Sequence, residues 1–466
     1  MLSVFIHTLG CKLNQLESEA FTDAFLQAGF SLYSQSDTAS PSFIIINTCT
    51  VTSKADQKAR RVIRKALRDF PDSCVIVTGC YAQLNKEQIN VLDTADARLF
   101  VLKGAEKDAL LDLPRFINEN ADLYRGDISR AFKTLCENRE QGAQRSGRTA
   151  GSFQFNPERF SDHTRGFLKI QDGCDKHCTY CRVRLARGPS VSLDAEEVLA
   201  RLRLLEKSHS EAVLTGVNIC QYCDGANAQN LGQLLEYLLA GTEKISLRLS
   251  SLSPENIVDN DDFCRVLSNK RIRPHFHLSI QSGSKKILEK MGRAYDARTV
   301  EKAAALLRRA KDDPFLACDI IAGFPGESET EFNETYEMCK KTDFAWIHAF
   351  PYSKRPGTSA FSFTETVQES EVSKRVEKLT LLAGAGRAEY ARRWLGREVE
   401  VLVEKGGGSN LCRGLSENYL KLLVKYNGEK APSPGAVLRC RIVQEDPTQR
   451  SEGADEDFDA AAEEKP

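Results

Sequence analysis

No apolar run in this chain is long enough to cross a bilayer, which excludes a bundle of membrane-spanning helices. No basic region precedes the short apolar stretch Met1-Leu2-Ser3-Val4-Phe5-Ile6-His7, so the start reads as a first strand and not as a secretory signal. Net charge is almost absent, 64 Lys and Arg against 65 Asp and Glu, but it is unevenly spread. Nine acidic and two basic residues lie from Glu445 to the end, a net of −7, which leaves +6 on residues 1–444. A mildly basic body suits a phosphate-rich partner without identifying one. The acidic tail has the composition of a disordered, solvating segment. Cysteine, by contrast, is plentiful at 15 residues. Without an export signal these thiols point to a reducing compartment, the cytoplasm, and to metal or catalytic use. At 466 residues the chain exceeds one core, so two to three domains are expected.

One further absence is the most informative. The run Cys174-Asp175-Lys176-His177-Cys178-Thr179-Tyr180-Cys181 has three cysteines and no fourth in the same loop. A four-iron cluster ordinarily takes four protein ligands, so three thiolates leave one iron open to a small molecule. The alternative is structural zinc, which wants a closed set of four. His177 would have to be the fourth, and its place between Cys174 and Cys178 strains simultaneous binding. Cys220 and Cys223 could bind metal as a pair, but no second pair stands near them. The remaining cysteines, Cys136, Cys264, Cys318, Cys339, Cys412 and Cys440 among them, read as small buried hydrophobes.

The cysteine motif, with its Thr-Tyr interior, resembles the radical S-adenosylmethionine enzymes. The match to one branch, the methylthiotransferases, extends from about residue 3 to about residue 443. It is carried by Thr8-Leu9-Gly10-Cys11-Lys12-Leu13-Asn14, Asn47-Thr48-Cys49-Thr50-Val51, Gly79-Cys80-Tyr81-Ala82-Gln83, His277-Leu278-Ser279-Ile280-Gln281-Ser282-Gly283-Ser284, Gly323-Phe324-Pro325-Gly326-Glu327 and Tyr352-Ser353-Lys354-Arg355-Pro356-Gly357-Thr358. The opening segment and Val51-Thr52-Ser53-Lys54-Ala55-Asp56 look most like the subgroup that methylthiolates N6-threonylcarbamoyladenosine beside the anticodon of transfer RNA. The resemblance implies two [4Fe-4S] clusters, one on Cys174, Cys178 and Cys181 and one on Cys11, Cys49 and Cys80. It implies S-adenosylmethionine as cofactor, a transfer-RNA substrate, an external electron donor such as flavodoxin or ferredoxin, and no membrane partner. In the family the first cluster breaks S-adenosylmethionine to a 5′-deoxyadenosyl radical, and the second supplies the sulfur.

The expected fold is α/β and multidomain. Residues 1–116 alternate strand (Ser3 to Thr8, Phe43 to Thr48, Cys74 to Thr78) and helix (Gln15 to Ala28, Ser53 to Phe70), which implies a Rossmann-like parallel sheet. Cys11, Cys49 and Cys80 each follow a strand, so the carboxyl rim of the sheet should gather them. On the second helix Lys58, Arg60, Arg61, Arg64, Lys65 and Arg68 form either a solvated face or a stripe for phosphates. Residues 117–165 read as a linker, poorly ordered from 136 on. Residues 166–392 hold six strand–helix units near Phe167, Ala212, Ser246, His275, Phe315 and Ala345, by resemblance a partial (β/α)6 barrel. Residues 393–444 alternate with period two and read as a small antiparallel barrel, by resemblance the family's RNA-binding domain. There Arg397, Arg413, Lys421, Lys425, Arg439 and Arg441 are candidates for phosphate, and Tyr419 for stacking on a base. Residues 445–466 are the acidic tail.

Candidates to hold S-adenosylmethionine come from the ends of the barrel strands: Gly216 and Asn218, Ser250, Ser279 and Gln281, Arg293 for the carboxylate, then Asp319, Gly323 and Glu327. Two segments depart from the family pattern. Arg182-Val183-Arg184-Leu185 stands where two aliphatics and a proline are usual, and Ser250-Ser251-Leu252-Ser253-Pro254 has serine where an acid is common. Competing readings keep the chemistry on isopentenyladenosine or on a ribosomal protein, or make the chain an RNA-binding iron–sulfur redox sensor without turnover.

Overall fold

The structure is a computed structural model. It describes residues 2–464 except 35, 94–97, 125, 147–152, 158, 159, 161–163, 226, 227, 229, 259, 409, 427–429 and 444–458. Two all-apolar runs set the amino-terminal layer. β3 (Phe43–Thr48) and β4 (Cys74–Gly79) are buried at every position, as strands covered on both faces must be. They lie in a parallel sheet ordered β2 (Ser31–Leu32), β1 (Ser3–Thr8), β3, β4, β5 (Leu99–Val101). Alternate side chains of β3 face opposite layers. Phe43 and Ile45 meet Phe21 and Phe25 of α1 (Lys12–Gln27), while Ile44 and Ile46 meet Ala59 and Ile63 of α2 (Ser53–Asp69). The chain leaves β1 for β2 on one side and returns to β3 on the other, so the strand order reverses between β1 and β3, where α/β sheets bind ligands.

The six expected core strands are present as Gly166–Lys169, Glu211–Thr215, Ser246–Leu249, His275–Gln281, Phe315–Ala322 and Trp346–Pro351. The first three and the last three form parallel sheets, joined by the bridges Leu247–Ile272 and Leu252–Leu278. Among the described residues the first and sixth strands are not paired, so the barrel is open on one side. The amino-terminal domain packs along that side. Leu16 of α1 is buried against Phe167 and Val213, and the start of α2 is tied to the loop after the sixth strand.

Four expectations are corrected. The segment read as a linker carries the helix Ile128–Ser146, whose Ala131, Phe132 and Leu135 are buried in the amino-terminal core. The carboxyl-terminal barrel, Glu398–Gly408, Leu411–Ser416, Lys421–Lys425 and Val437–Val443, is closed by a fifth strand, Ala460–Glu464, drawn from the segment assigned to a disordered tail. That strand pairs parallel with Lys421–Lys425 and antiparallel with Val437–Val443, so the barrel is not purely antiparallel. The rest of the tail, 444–458, lies outside the described residues. Tyr419 is not free for a base: it stacks on His275 at 3.8 Å between ring centroids, with Arg248 over its ring.

Buried charge joins the carboxyl-terminal barrel to the core. Glu211, 2% exposed, accepts from Arg248 at 2.7 Å and from Arg273 at 3.1 Å, and Arg273 reaches Glu400 at 2.8 Å. Burial would raise the Glu211 carboxyl, but the two guanidinium groups hold it down at about 2. A carboxyl held below its ordinary value near 4.5 stabilises the fold above that pH, and the contribution is lost as pH falls from there toward 2. Acid titration followed by limited proteolysis is therefore expected to free the carboxyl-terminal barrel below about pH 4. Docking that is unchanged from neutrality to pH 2 would refute this.

Candidate active site

Gly10 and Gly79 explain how three cysteines far apart in sequence come together. Gly10 has φ +107°, and a Cβ there would stand 2.5 Å from Cys49 Cβ and 3.0 Å from its Sγ. Gly79 has φ +93°, and a Cβ there would stand 2.3 Å from the Thr48 carbonyl oxygen. Only glycine permits both conformations and both approaches. Cys11 therefore follows β1 directly against the Cys49 loop, and Cys80 opens α3 (Cys80–Asn90) beside it. Asn14 Nδ2 donates to the Leu9 carbonyl at 2.8 Å and to the Thr48 carbonyl at 3.0 Å, which ties the first two loops together. Burial pushes the Cys49 thiol up to about 11, against hydrogen bonds from Val51 and Thr50, and Cys11 and Cys80 add to the rise. Cys11 and Cys80 thus lie close enough to Cys49 to act on its thiol.

In the core, burial likewise raises Cys181 to about 11, against the Val183 N–H, with Cys178 and Cys174 adding to it. The Thr179 N–H donates to the Met291 carbonyl at 3.0 Å, anchoring the cysteine loop to the turn that carries Arg293. His177 faces Arg184, with Nδ1 at 3.1 Å from Nη1, and is turned to that partner instead of serving as a ligand. Cys220 Sγ accepts from the Ser253 N–H while Cys223 is exposed, so those two do not form a pair. Among the described residues no three His, Cys, Asp or Glu side chains close on one ion. Thiolates around a single zinc stand roughly 4 Å apart, because each Zn–S bond is about 2.3 Å. A four-iron cube takes its ligands at separate corners, so its thiolates need not converge on one ion.

The charges around both trios suit a group of net negative charge. Arg187 is buried against Cys80, and it donates to Glu17 at 3.2 Å, Asp172 at 3.3 Å and Asn14 at 3.1 Å. Lys107 and Lys169 complete this network, holding Glu17 well below the usual carboxylate range although burial opposes it. Arg293 donates to the Tyr180 hydroxyl at 2.9 Å and lies close to Cys178 and Cys181. None of Arg187, Glu17, Lys107, Lys169 and Asp172 was expected from the sequence to be a site residue. They come from separate elements, and apart from Lys169 and Asp172, which are neighbours in sequence, no local spacing links them.

One cysteine of each trio, Cys80 and Cys181, lines a chamber of about 320 Å³. Cys80 and Thr50 line it from the amino-terminal domain, and Cys181, Arg182, Gln281, Arg293 and Asp319 line it from the core. Gln281 sits at φ +75°, a strained conformation for a residue with a Cβ. Asp319 accepts from His277 Nε2 at 3.0 Å. The other expected cofactor residues lie outside the chamber lining. Asn218 Nδ2 is 4.0 Å from Cys174 Sγ. Gly216 lets the loop pass within van der Waals reach of Gln171. Ser250 and Ser279 are held by backbone bonds to Leu214 and Leu252. Gly323 packs on Val372 of the last core helix, Glu369–Arg393. Glu327 is a correction to the cofactor set: its carboxylate accepts from Arg375 at 2.8 Å and from the Gly323 N–H, and the side chain is 1% exposed.

The family model described as "Uncharacterized protein family UPF0004" matches residues 3–100, and that of the "Radical SAM superfamily" matches residues 168–339. The chain is 39% identical to "Threonylcarbamoyladenosine tRNA methylthiotransferase MtaB" of Treponema pallidum, over 96% of this chain and 99% of that protein. It is 34% identical to the protein of the same name in Bacillus subtilis, over 95% and 94%. Among solved structures it resembles the radical S-adenosylmethionine methyltransferase TsrM from Kitasatospora setae, with a TM-score of 0.50 and 14% identity over 77% of each chain, a likeness of fold.

Proposed function

The chain belongs to the MtaB family of radical S-adenosylmethionine methylthiotransferases, whose superfamily uses a [4Fe-4S] cluster and S-adenosylmethionine, and from that premise we propose that it replaces the hydrogen on carbon 2 of N6-threonylcarbamoyladenosine in transfer RNA with a methylthio group. The observation that carries the reading is the single chamber with Cys80 on one wall and Cys181 on the other. Carbon 2 of adenine bears an unactivated C–H bond that no side-chain base removes near neutral pH. When bound, clusters on the two cysteine trios, together with S-adenosylmethionine, supply the radical and the sulfur.

The chain's own residues supply position and dryness. Arg293, held by Tyr180, is the cation set to pair with the carboxylate of S-adenosylmethionine. Asp319 and Gln281 present polar groups on the same side of the chamber, and Ile321, Phe350 and Val183 exclude water. Arg187 sets positive charge against Cys80 from beneath. Nucleoside mass spectrometry of a deletion strain tests the reading. Loss of the methylthio-threonylcarbamoyl nucleoside, with its parent accumulating, is expected; an unchanged nucleoside profile would refute it.

The outer face of α2 supports an RNA partner. Lys54, Lys58, Arg61, Lys65 and Arg68 are all exposed and fall within about 40° of one line down the helix, at 100° per residue. Ala59, Ile63 and Ala66 are buried on the opposite side. Arg60 leaves the stripe and donates to the Tyr81 hydroxyl at 2.8 Å. The stripe begins at the chamber, since Thr50, Val51 and Thr52 line it, and runs about 21 Å outward at 1.5 Å per residue. The variant K58E/R61E/K65E is expected to weaken transfer-RNA binding and to flatten its salt dependence by about 0.7–0.9 in slope for each phosphate it no longer neutralises. Unaltered affinity and slope would assign the stripe to solvation alone.

A further inference from the structure

The chamber carries a cation that the proposed reaction leaves without a role. Arg182 follows Cys181 and lines the chamber, at a position where the family resemblance leads one to expect an aliphatic residue. Its Nη1 lies 3.4 Å from Thr50 Oγ1. Its Nε is buried without a hydrogen-bond partner, and among the described residues no carboxylate pairs with it. The nearest acid is already committed: Asp56 accepts from Arg355 at 2.6 Å through Oδ2 and from Thr50 at 2.8 Å through Oδ1. Two guanidinium groups thus stand on this wall with one carboxylate, which Arg355 holds, and this leaves one positive charge in excess at the chamber. Arg182 is half-buried, and a cation partly withdrawn from water without a counter-ion carries a cost that a ligand can offset.

We propose that Arg182 forms a carboxylate subsite that receives the free carboxylate at the end of the N6 substituent of the substrate nucleoside. This rests on the function proposed for the chamber and names the part of the substrate that is recognised. A threonylcarbamoyl group ends in an amino-acid carboxylate, which a guanidinium grips through two parallel N–H···O bonds. A purely hydrocarbon substituent on N6 would leave the same charge uncompensated, so the subsite selects against it. The cofactor's carboxylate is served separately by Arg293, which sits near Cys178.

The test compares two anticodon stem-loops bearing threonylcarbamoyladenosine, one as the free acid and one as its methyl ester, of nearly equal size but without the charge. Binding is read by fluorescence anisotropy on the full, anaerobically reconstituted chain. The wild type is expected to prefer the acid by at least about 30-fold, the loss typical of removing one partner of a buried charge pair. R182M should abolish the preference, and R182K should restore part of it. An R182M variant that still prefers the acid, or a wild type that takes both RNAs equally, overturns the inference. If R182M fails to load iron, the wild-type comparison alone decides. A wild type that converts acid and ester alike removes the subsite but keeps the function. A wild type that yields no methylthio product from either RNA removes the function itself.

Discussion

Replacing Cys11, Cys49 and Cys80 together by alanine will leave a protein that holds on the order of four irons instead of about eight, still cleaves S-adenosylmethionine, and transfers no sulfur. The trio is built on the rim of the amino-terminal sheet, where Gly10 and Gly79 bring its loops into contact. The second trio is anchored elsewhere, through the Thr179 bond to Met291 and the Arg293–Tyr180 contact. Removing the first set therefore takes nothing from the second. Sulfur transfer should drop below detection, a far larger loss than that from any single side chain in the chamber wall. The deciding measurement is iron and sulfide content, with 5′-deoxyadenosine and methylthio nucleoside quantified in the same reaction. Loss of S-adenosylmethionine cleavage along with sulfur transfer in a fully folded triple variant would show that the trios do not act independently.

Arg355→Met should be the most damaging single change away from the cysteines. Arg355 comes from the loop after the sixth core strand, yet it donates to Asp56 at 2.6 Å, to the Thr50 carbonyl at 3.1 Å and hydroxyl at 2.8 Å, and to Ser53 at 3.1 Å. Its side chain is 4% exposed and that of Asp56 is 11%. Removing one partner of so buried a pair strands the other and costs about 3–5 kcal/mol. Because Thr50 and Ser53 flank the segment between Cys49 and α2, the same change releases the chamber wall. Thermal unfolding should shift downward, and methylthio product should fall more steeply than 5′-deoxyadenosine. Arg355→Lys should not rescue it, because a point charge cannot make the four-way fork. Arg355→Met combined with Asp56→Leu should recover stability but not coupling, since no buried charge remains unpaired. A single Arg355→Met variant with unchanged stability would show that the domains are held by their apolar contacts alone.

Much of the molecule is legible in the order of its residues. The all-apolar runs of β3 and β4 announce strands buried on both faces, and the glycine before Cys11 and before Cys80 marks turns at strand ends. The six core strands fall where their apolar runs place them. The elements that local pattern does not announce share one cause. The helix Ile128–Ser146 is polar along most of its length and is held by a few residues, such as Phe132, that find a core built by other segments. Ala460–Glu464 lacks the pattern of a strand and becomes one because two barrel edges are there to pair with it. Glu327 and Tyr419 have the right chemistry for ligand and base, but Arg375 and His275 occupy them.

The sequence alone determined the family and where its cysteines stand, because three of them lie within one loop and because strands of a parallel sheet end on a common rim. Only the tertiary structure decided that Cys80 and Cys181, one from each trio, line one chamber, and which charges stand around it. Those contacts join residues more than a hundred positions apart, such as Arg187 with Glu17 and Arg355 with Asp56. Their strength comes from burial, and burial exists only once the two domains have closed on each other.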